Sequence, residues 1–385
     1  MKTGRIIGGT VVTPGARYDG GSVLVEDDTI IDVLPAGAPI PPADWTYDAE
    51  GAYVVPGFFD IHSHGAVGYE VTDNDPKSVP AVCKAKLEEG VTTYCPTTLT
   101  LPHEALANTM ERVADYRKSE EFCRVPGVHL EGPFINPKSL GAQNPAFVRK
   151  ADINEVLELA AIAPVTEMTY AVEMEGGADF TKALLSNGIV ASCGHSKATY
   201  EDFRKGYAKG LRHLTHFCNQ MSPLHHRDLG LVGAGLLHDD VHLELITDKV
   251  HVSVPMIQLV FDRKPVESIF VITDSMRASH LPDGPSSIGG LDVIVKNGEA
   301  RLAKDGALAG SMLRMNYALR NIVEVTGLPI EDIVQTTSWN QAVELGLGDQ
   351  FGCIEPGFVA DLAVLDQKTF DVDAVFVGGE KRIAK

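Results

Sequence analysis

Short apolar runs alternate with amphipathic segments through the central part of the chain. The runs, rich in β-branched residues, are GFFDIHSHG, GVTTYCPTT, GVHLEGP, EMTYAVE, IVASCGHS, LTHFCN, LELITDK and SIFVITDS. Segments of helical length, among them SVPAVCKAKLEEG and YEDFRKGYAKG, separate them. A strand–helix repeat of this kind, occurring about eight times, is what a (β/α)8 barrel requires. A doubly wound open sheet is the alternative, but the glycine-rich phosphate turn that usually follows its first strand is missing from the sequence.

The two ends of the chain show a different pattern, in which short β-like runs alternate with turns. The start of the chain contains RIIGGTVVTPG, GGSVLVEDDTIIDVLP and GAYVVPG, and the end contains FGCIEPGFVADLAVLDQ and AVFVGGEKRIA. Both ends therefore predict one small β-domain, with the central stretch inserted between its two parts. We predict an α/β protein with a (β/α)8 TIM-like barrel over 56–349 and a small β-sandwich domain formed by 1–55 and 350–385.

Composition and charge narrow the class of protein. The 385 residues are 44% hydrophobic and 22% charged, which is typical of a globular protein with a sizeable core. No apolar run approaches the roughly 20 residues that span a bilayer, and the N-terminus lacks the apolar segment of a signal peptide. The six cysteines are scattered without CxxC spacing, so we predict reduced thiols and a cytoplasmic location. A net charge of -19 repels nucleic acid and anionic membranes, and we expect neither as a partner.

Polar side chains that strands normally avoid stand at the ends of several central runs. They are His62, His64, Glu131, His195, His216 and Asp274. In a barrel, the carboxyl ends of the strands form one rim where catalysis occurs. Imidazole and carboxylate ligands suit zinc, iron or a similar divalent ion rather than calcium or magnesium. Any one of these histidines alone is more often a hydrogen-bonded core residue, so the prediction of a metal site rests on the cluster.

Several motifs follow one another through nearly the whole chain, namely GFFDIHSHG, HLEGPFINP, GHS, THFCNQMSPLHHR, ITDSM and LAGSMLRMNYALRN. On these motifs the chain resembles the amidohydrolase superfamily and, within it, the N-acetylglucosamine-6-phosphate deacetylase family. The resemblance implies that Glu131, His195 and His216 are metal ligands. It further implies that His62 and His64 hold a second ion, with Glu131 bridging. One or two divalent ions per chain are expected, with zinc favoured and iron, manganese or cobalt compatible.

The same resemblance implies an amide hydrolase that releases acetate and a free amine. Asp274 matches the acid–base, acting on a water that the metal activates, although a helix N-cap is the structural alternative for this residue. Expected partners are a small amino-sugar phosphate and a second copy of the chain in a homodimer. Asn219, Arg227 and His251 match positions that hold the sugar phosphate. The other matched substrate contacts are Ala142, Gln143, Gln220, Asp248, Leu308, Ala309 and Gly310.

Four departures from the family pattern lie near the substrate rather than the metal. Gln143 replaces the usual histidine and cannot carry the charge of an imidazolium. Gln220 stands where a small residue is usual, TDKVH replaces ADGxH, and SSIGG lacks an aromatic residue. The identity of the substrate sugar is therefore not decided by the sequence. N-acetylgalactosamine-6-phosphate or another N-acylated amine is the alternative substrate. A barrel that binds sugar phosphates without catalysis is the third possibility, and the retained Asp274 argues against it.

Overall fold

The computed structural model describes residues 1–384. Its strands are β1 Thr3–Thr13, β2 Ala16–Glu26, β3 Thr29–Leu34, β4 Trp45–Asp48, β5 Tyr53–Pro56, β6 Phe58–Ser63, β7 Gly65–Ala66, β8 Tyr69–Glu70, β9 Val91–Pro96, β10 Val128–Glu131, β11 Val165–Tyr170, β12 Val190–Cys193, β13 His213–Leu214, β14 His242–Ile246, β15 Ile269–Ile272, β16 Gly284–Ile288, β17 Leu291–Lys296, β18 Glu299–Leu302, β19 Leu362–Leu365, β20 Val372–Val377 and β21 Glu380–Ala384. Its α-helices are α1 Ser78–Glu88, α2 His103–Tyr116, α3 Ile153–Ala160, α4 Gly177–Ser186, α5 Tyr200–Tyr207, α6 Gly230–Leu237, α7 Val254–Arg263, α8 Met315–Thr326, α9 Ile330–Ile333 and α10 Trp339–Glu344. Short 3₁₀ helices occupy Pro145–Phe147, Val266–Ser268 and Val334–Thr337.

Strands β6 and β9 to β15 form the parallel barrel that the sequence predicts. Strands β10 to β15 are neighbours in one sheet, and β6 pairs with β9. Two further contacts close the ring: Thr98 N–H donates to the His129 carbonyl at 3.0 Å, and Asp274 N–H donates to the His62 carbonyl at 2.9 Å. All eight predicted runs contribute a strand, so the predicted fold class is confirmed.

The local sequence explains why these elements form. Every residue of β6 is buried, as expected for a parallel strand covered on both faces. The surrounding helices begin and end at standard signals. Thr199 and Asp202 form a capping box at the start of α5, and α8 ends at Gly327, whose φ of 66° suits glycine. None of the helices within residues 1–384 has the length and apolar character needed to cross a bilayer.

Strands from both ends of the chain join in one mixed sheet of eight strands. Its order is β21-β20-β19-β5-β1-β2-β3, with β4 paired to β1. One apolar cluster, which includes Ile6, Val23, Val54, Leu362 and Phe376, combines buried side chains from both ends of the chain. The domain boundaries at 55/56 and 349/350 stay a prediction, although every strand of this sheet except Tyr53–Pro56 lies wholly within 1–55 or 350–385.

An antiparallel sheet of β16, β17 and β18 follows the last barrel strand, and none of the predicted elements corresponds to it. The turn between β17 and β18 is Asn297–Gly298, and both residues have positive φ, of 54° and 74°. Such a dipeptide between alternating segments is a hairpin signal. The sheet packs its apolar face on Leu99, Met276 and Ala309. It thereby covers one side of the barrel mouth.

Candidate active site

Three predicted metal ligands converge at the carboxyl ends of β10, β12 and β13. Glu131 Oε1 lies 3.0 Å from His195 Nε2 and 2.9 Å from His216 Nε2. The two Nε2 atoms are 3.0 Å apart. A tetrahedral zinc site with bonds of about 2.0–2.2 Å separates its ligand atoms by roughly 3.3 Å, so this spacing is close to that of a metal triad. His195 is oriented by a contact of 2.9 Å between its Nδ1 and the Ser139 carbonyl.

His62 and His64 approach the same carboxylate from β6 and the residue after it. His64 Nε2 lies 3.4 Å from Glu131 Oε2 and 3.2 Å from Asp274 Oδ1. His62 Nε2 lies 3.5 Å from Glu131 Oε1 and 3.8 Å from Asp274 Oδ1. The Nδ1 atoms of both rings are engaged elsewhere, so their Nε2 atoms face the carboxylates. Glu131 therefore stands between the two groups of imidazoles, the position that a bridging carboxylate requires.

The negative charges of Glu131 and Asp274 make this buried cluster favourable for a cation. Burial disfavours the charged form of His64, but the hydrogen bond with Asp274 and the charge of Glu131 outweigh it and raise the pKa to about 9. Burial likewise opposes the charge on His216, and Glu131 raises its pKa to about 9. His62 Nε2 is buried without a hydrogen-bond partner. An unpartnered buried nitrogen is costly, so this donor set fits a metal whose bonds would satisfy it.

The backbone is strained at three of these residues. His195, His216 and Asp274 have φ values of 46°, 30° and 48°, in the left-handed region that side chains other than glycine rarely adopt. Each lies just after a barrel strand, where the chain must turn away while its side chain points into the rim. Strain of this kind persists where the surroundings hold it, and it occurs preferentially at functional sites.

Asp274 is held between the first barrel strand and the loop that follows β18. Its N–H donates to the His62 carbonyl at 2.9 Å, and its carbonyl accepts from Ser311 N–H at 2.7 Å. Burial raises the pKa of Asp274, but the hydrogen bond from His64 and the charge of His62 lower it below the ordinary value overall. The carboxylate is therefore ionised beside the ligands, which suits it to accept a proton.

A cavity of about 350 Å³ opens from the ligands towards solvent. Most of the predicted substrate residues line it, namely Ala142, Gln143, Asn219, Gln220, His251, Leu308 and Gly310. Gln143, the main departure from the family pattern, donates from Nε2 to Glu131 Oε2 and accepts from Thr100 N–H at 2.7 Å. The amide thus holds the carboxylate oxygen that faces His64. The expectation that this departure lies near the substrate rather than the metal is therefore wrong for Gln143, which contacts a predicted metal ligand.

Three predicted substrate residues lie outside the cavity lining. Asp248 is behind His251, whose Nδ1 is 2.6 Å from Asp248 Oδ2. Ala309 is fully buried and packs with the sheet of β16 to β18. Arg227 lies in an exposed loop, where Nη1 contacts His226 Nε2 at 2.8 Å. Within one chain, the structure does not bring Arg227 to the ligands.

Two residues that the sequence analysis does not identify contribute to the site. Arg301 on β18 lines the cavity, half-exposed and paired with Glu299. Its signal is a hairpin pattern in the sequence, but only folding places that hairpin over the barrel. Glu244 in β14 is fully buried and lies 2.8 Å from His62 Nδ1. A charged residue inside the apolar run LELITDK is the available signal.

Comparison with known proteins identifies the family. The sequence profile of the Amidohydrolase family matches residues 53–382. The chain belongs to the amidohydrolase family. The amidohydrolase is 33% identical over 361 residues to the N-acetylglucosamine-6-phosphate deacetylase of Bacillus subtilis (strain 168), covering 92% of this chain and 91% of the relative. It is 34% identical over 351 residues to the N-acetylgalactosamine-6-phosphate deacetylase of Escherichia coli O157:H7, covering 90% and 92%.

A solved structure extends this likeness to the whole fold. A mutant N-acetylglucosamine-6-phosphate deacetylase from Mycobacterium smegmatis, in complex with N-acetyl-D-glucosamine-6-phosphate, superposes on the amidohydrolase with a TM-score of 0.92. The two are 29% identical, and the match covers 99% of each chain. The predicted resemblance to this deacetylase family is therefore confirmed. The roles of the individual site residues stay predictions.

Proposed function

We propose that this amidohydrolase removes the acetyl group of N-acetylglucosamine-6-phosphate, giving glucosamine-6-phosphate and acetate. The observation that carries the proposal is the convergence of Glu131, His195 and His216 beside an ionised Asp274 at the base of one cavity. The curated relative from Bacillus subtilis bears the name of this activity. A cytoplasmic location and a homodimer are further parts of the proposal.

Two sets of side chains would hold the metal. Glu131, His195 and His216 would hold a first ion, and His62 and His64 a second, with zinc favoured. When bound, a divalent ion lowers the pKa of water and polarises the acyl carbonyl. Asp274 accepts the proton of the water whose oxygen bonds to the acyl carbon. As the C–N bond breaks, the same carboxyl returns that proton to the amine nitrogen, which is too poor a leaving group to depart as an anion.

The outer part of the cavity carries groups suited to a sugar phosphate. Asp248 orients the ring of His251, and Asn219 presents an amide from the neighbouring loop. Arg301 supplies a cation that favours phosphate within a strongly acidic chain. Arg227 lies outside the cavity of its own chain, so its predicted phosphate contact is proposed to act across the homodimer interface.

The direct test is acetate release from N-acetylglucosamine-6-phosphate by metal-replete protein. We expect turnover that disappears on treatment with a chelator and returns when zinc is added back. The unphosphorylated sugar serves as the matched control and should be a much poorer substrate. Metal-replete protein that releases no acetate would contradict the proposal.

N-acetylgalactosamine-6-phosphate is the second candidate substrate. Gln143 replaces the family histidine beside Glu131, and the Escherichia coli relative named for the galactosamine epimer is 34% identical. A kcat/KM comparison of the two epimers decides between them. A higher value for the galactosamine epimer would keep the mechanism and change the substrate.

A further inference from the structure

A line of alternating imidazoles and carboxylates leads from the predicted metal ligands to a partly exposed pair of side chains. From the far end, His242 Nδ1 lies 2.9 Å from Glu344 Oε2, and Glu344 Oε1 lies 3.4 Å from His213 Nδ1. His213 Nε2 lies 3.5 Å from Glu244 Oε1, and Glu244 Oε2 lies 2.8 Å from His62 Nδ1. We call these five residues the polar column. It connects the metal ligands to the partly exposed pair His242 and Glu344.

The column occupies a place that barrels usually fill with branched apolar side chains. His213 and Glu244 have side chains that are 1% and 0% exposed, and neither lines the substrate cavity. Burying ionisable groups costs several kcal/mol for each ion unless partners compensate it. The mechanism proposed above uses none of the column except His62. The other four residues of the column therefore have no catalytic role in that mechanism, and their contacts indicate which side chains they hold in place.

Glu244 holds parts of both groups of metal ligands with a single oxygen. Glu244 Oε2 accepts a hydrogen bond from the His216 backbone N–H at 2.9 Å and lies 2.8 Å from His62 Nδ1. A carboxylate only accepts, so this contact places the proton of His62 on Nδ1. The lone pair of His62 is then on Nε2, the atom that faces Glu131. Outer carboxylates of this kind fix the orientation of a ligating histidine and raise its basicity.

We propose that Glu244, which lies 3.5 Å from His213 in the column, is a positioning residue that sets the affinity of the second ion by fixing His62. This inference rests on the two-ion site of the proposed function. The first ion depends less on Glu244, because His195 takes no part in the column and Glu244 contacts His216 through its backbone N–H.

The test is a titration of metal-free protein with cobalt(II). Binding is monitored by calorimetry and by the visible absorption spectrum of cobalt at each site. For Glu244→Gln we expect second-site affinity to fall about 10- to 100-fold, with first-site affinity changed less than about threefold. His62→Asn sets the reference for complete loss of the second site. Glu344→Gln, at the partly exposed end of the column, should weaken the second site by a smaller factor and serves if Glu244→Gln fails to fold.

Asp361→Asn is the matched control, because Asp361 is a buried carboxylate outside the column. Its partners are Arg124 and the Gly378 N–H, so we expect its variant to bind both ions like the wild type. Two ions bound by Glu244→Gln with wild-type affinity would overturn the inference, as would equal weakening in both variants. If the wild type binds one ion, the second site and this inference are both wrong. If the same protein still releases acetate, the proposed activity stands.

Discussion

Two clusters of buried charge meet at residues 273–275, and they are built differently. The side chain of Asp274 points towards the metal ligands, whereas the side chains of Thr273 and Ser275 contact Lys86. Lys86 Nζ lies 3.0 Å from Thr273 Oγ1, 2.8 Å from Ser275 Oγ and 3.0 Å from Asp60 Oδ2. A second carboxylate, that of Glu89, lies 3.3 Å from the same nitrogen. This arrangement, which we call the lysine cluster, is fully buried.

The difference lies in whether the chain's own atoms complete the cluster. In the lysine cluster the cation has acceptors on several sides, and Glu89 also accepts from Met315 N–H at 2.9 Å. At the rim, His62 Nε2 has no partner, and the Nε2 atoms of His195 and His216 face each other at 3.0 Å. A complete cluster is stable without a ligand. An incomplete cluster of metal-ligand side chains fits a bound ion, whose bonds would satisfy the unpartnered nitrogen.

Asp274→Asn tests whether the residues at the rim carry out catalysis. Of the variants considered, it is expected to have the largest effect on activity. The amide keeps the shape of the carboxyl but cannot accept the proton, so kcat should fall about 10²- to 10⁴-fold. Acetate release measures this change, and thermal unfolding should show little loss of stability. Asp262→Asn, exposed on α7, is the matched control. Retained activity in Asp274→Asn would assign the residue a structural role.

Lys86→Met tests whether stability belongs to the lysine cluster. Removing the cation leaves Asp60 and Glu89 buried without compensation, which should lower the free energy of unfolding by about 3–5 kcal/mol. Denaturant unfolding of metal-free protein measures the loss. Lys84→Met, exposed on the same helix, should change stability by less than about 0.5 kcal/mol. Similar stability in the two variants would remove the distinction between the clusters.

The two clusters should also differ in how pH affects metal-free protein. The pKa values of His64 and His216 are raised to about 9, so the stability that they contribute is complete below about pH 6.5 and is lost as pH rises towards 9. We expect the free energy of unfolding to fall by up to about 3 kcal/mol for each of the two histidines across this range. Denaturant unfolding at several pH values measures it.

Lys86, the cation of the lysine cluster, contributes no such change in that window. Burial lowers the pKa of Lys86, but Glu89 and Asp60 outweigh it and raise the value above the ordinary one. Its charge is therefore constant between pH 6.5 and 9. The double variant His64→Asn, His216→Asn is the control and should reduce the slope. Part of the slope should remain, because burial opposes the charge on His213 but the charge of Glu167 raises its pKa well above the ordinary value. An unchanged slope in that variant would locate the titrating groups elsewhere.

Arg301→Gln probes the edge of the rim site and should have the smallest effect. Because Arg301 is half-exposed and already paired with Glu299, we expect KM for the phosphorylated sugar to rise no more than about tenfold, with kcat nearly unchanged. Steady-state kinetics with both forms of the sugar measure the change. Arg227→Gln is the matched comparison. A larger rise in KM for Arg227→Gln would support phosphate binding by the partner chain.

The sequence predicted much of the fold and the inner part of the site. Alternation of apolar runs and helical segments depends on local periodicity, which a sequence shows directly. The polar residues at strand ends, such as Glu131 and His195, were found by the same rule, since parallel barrel strands end at one rim. The antiparallel sheet of β16 to β18 was missed, although its Asn297–Gly298 turn was a visible signal.

What the sequence by itself determined is therefore the periodic part: eight strands, their helices, and which polar residues end the strands. Only the tertiary structure decided that Lys86 is enclosed by acceptors while His62 Nε2 is left without one. It also placed Arg301 over the cavity and Arg227 outside it. The physical reason is distance along the chain. Glu244 and His62 are 182 residues apart, and no local pattern specifies a hydrogen bond that only closure of the barrel creates.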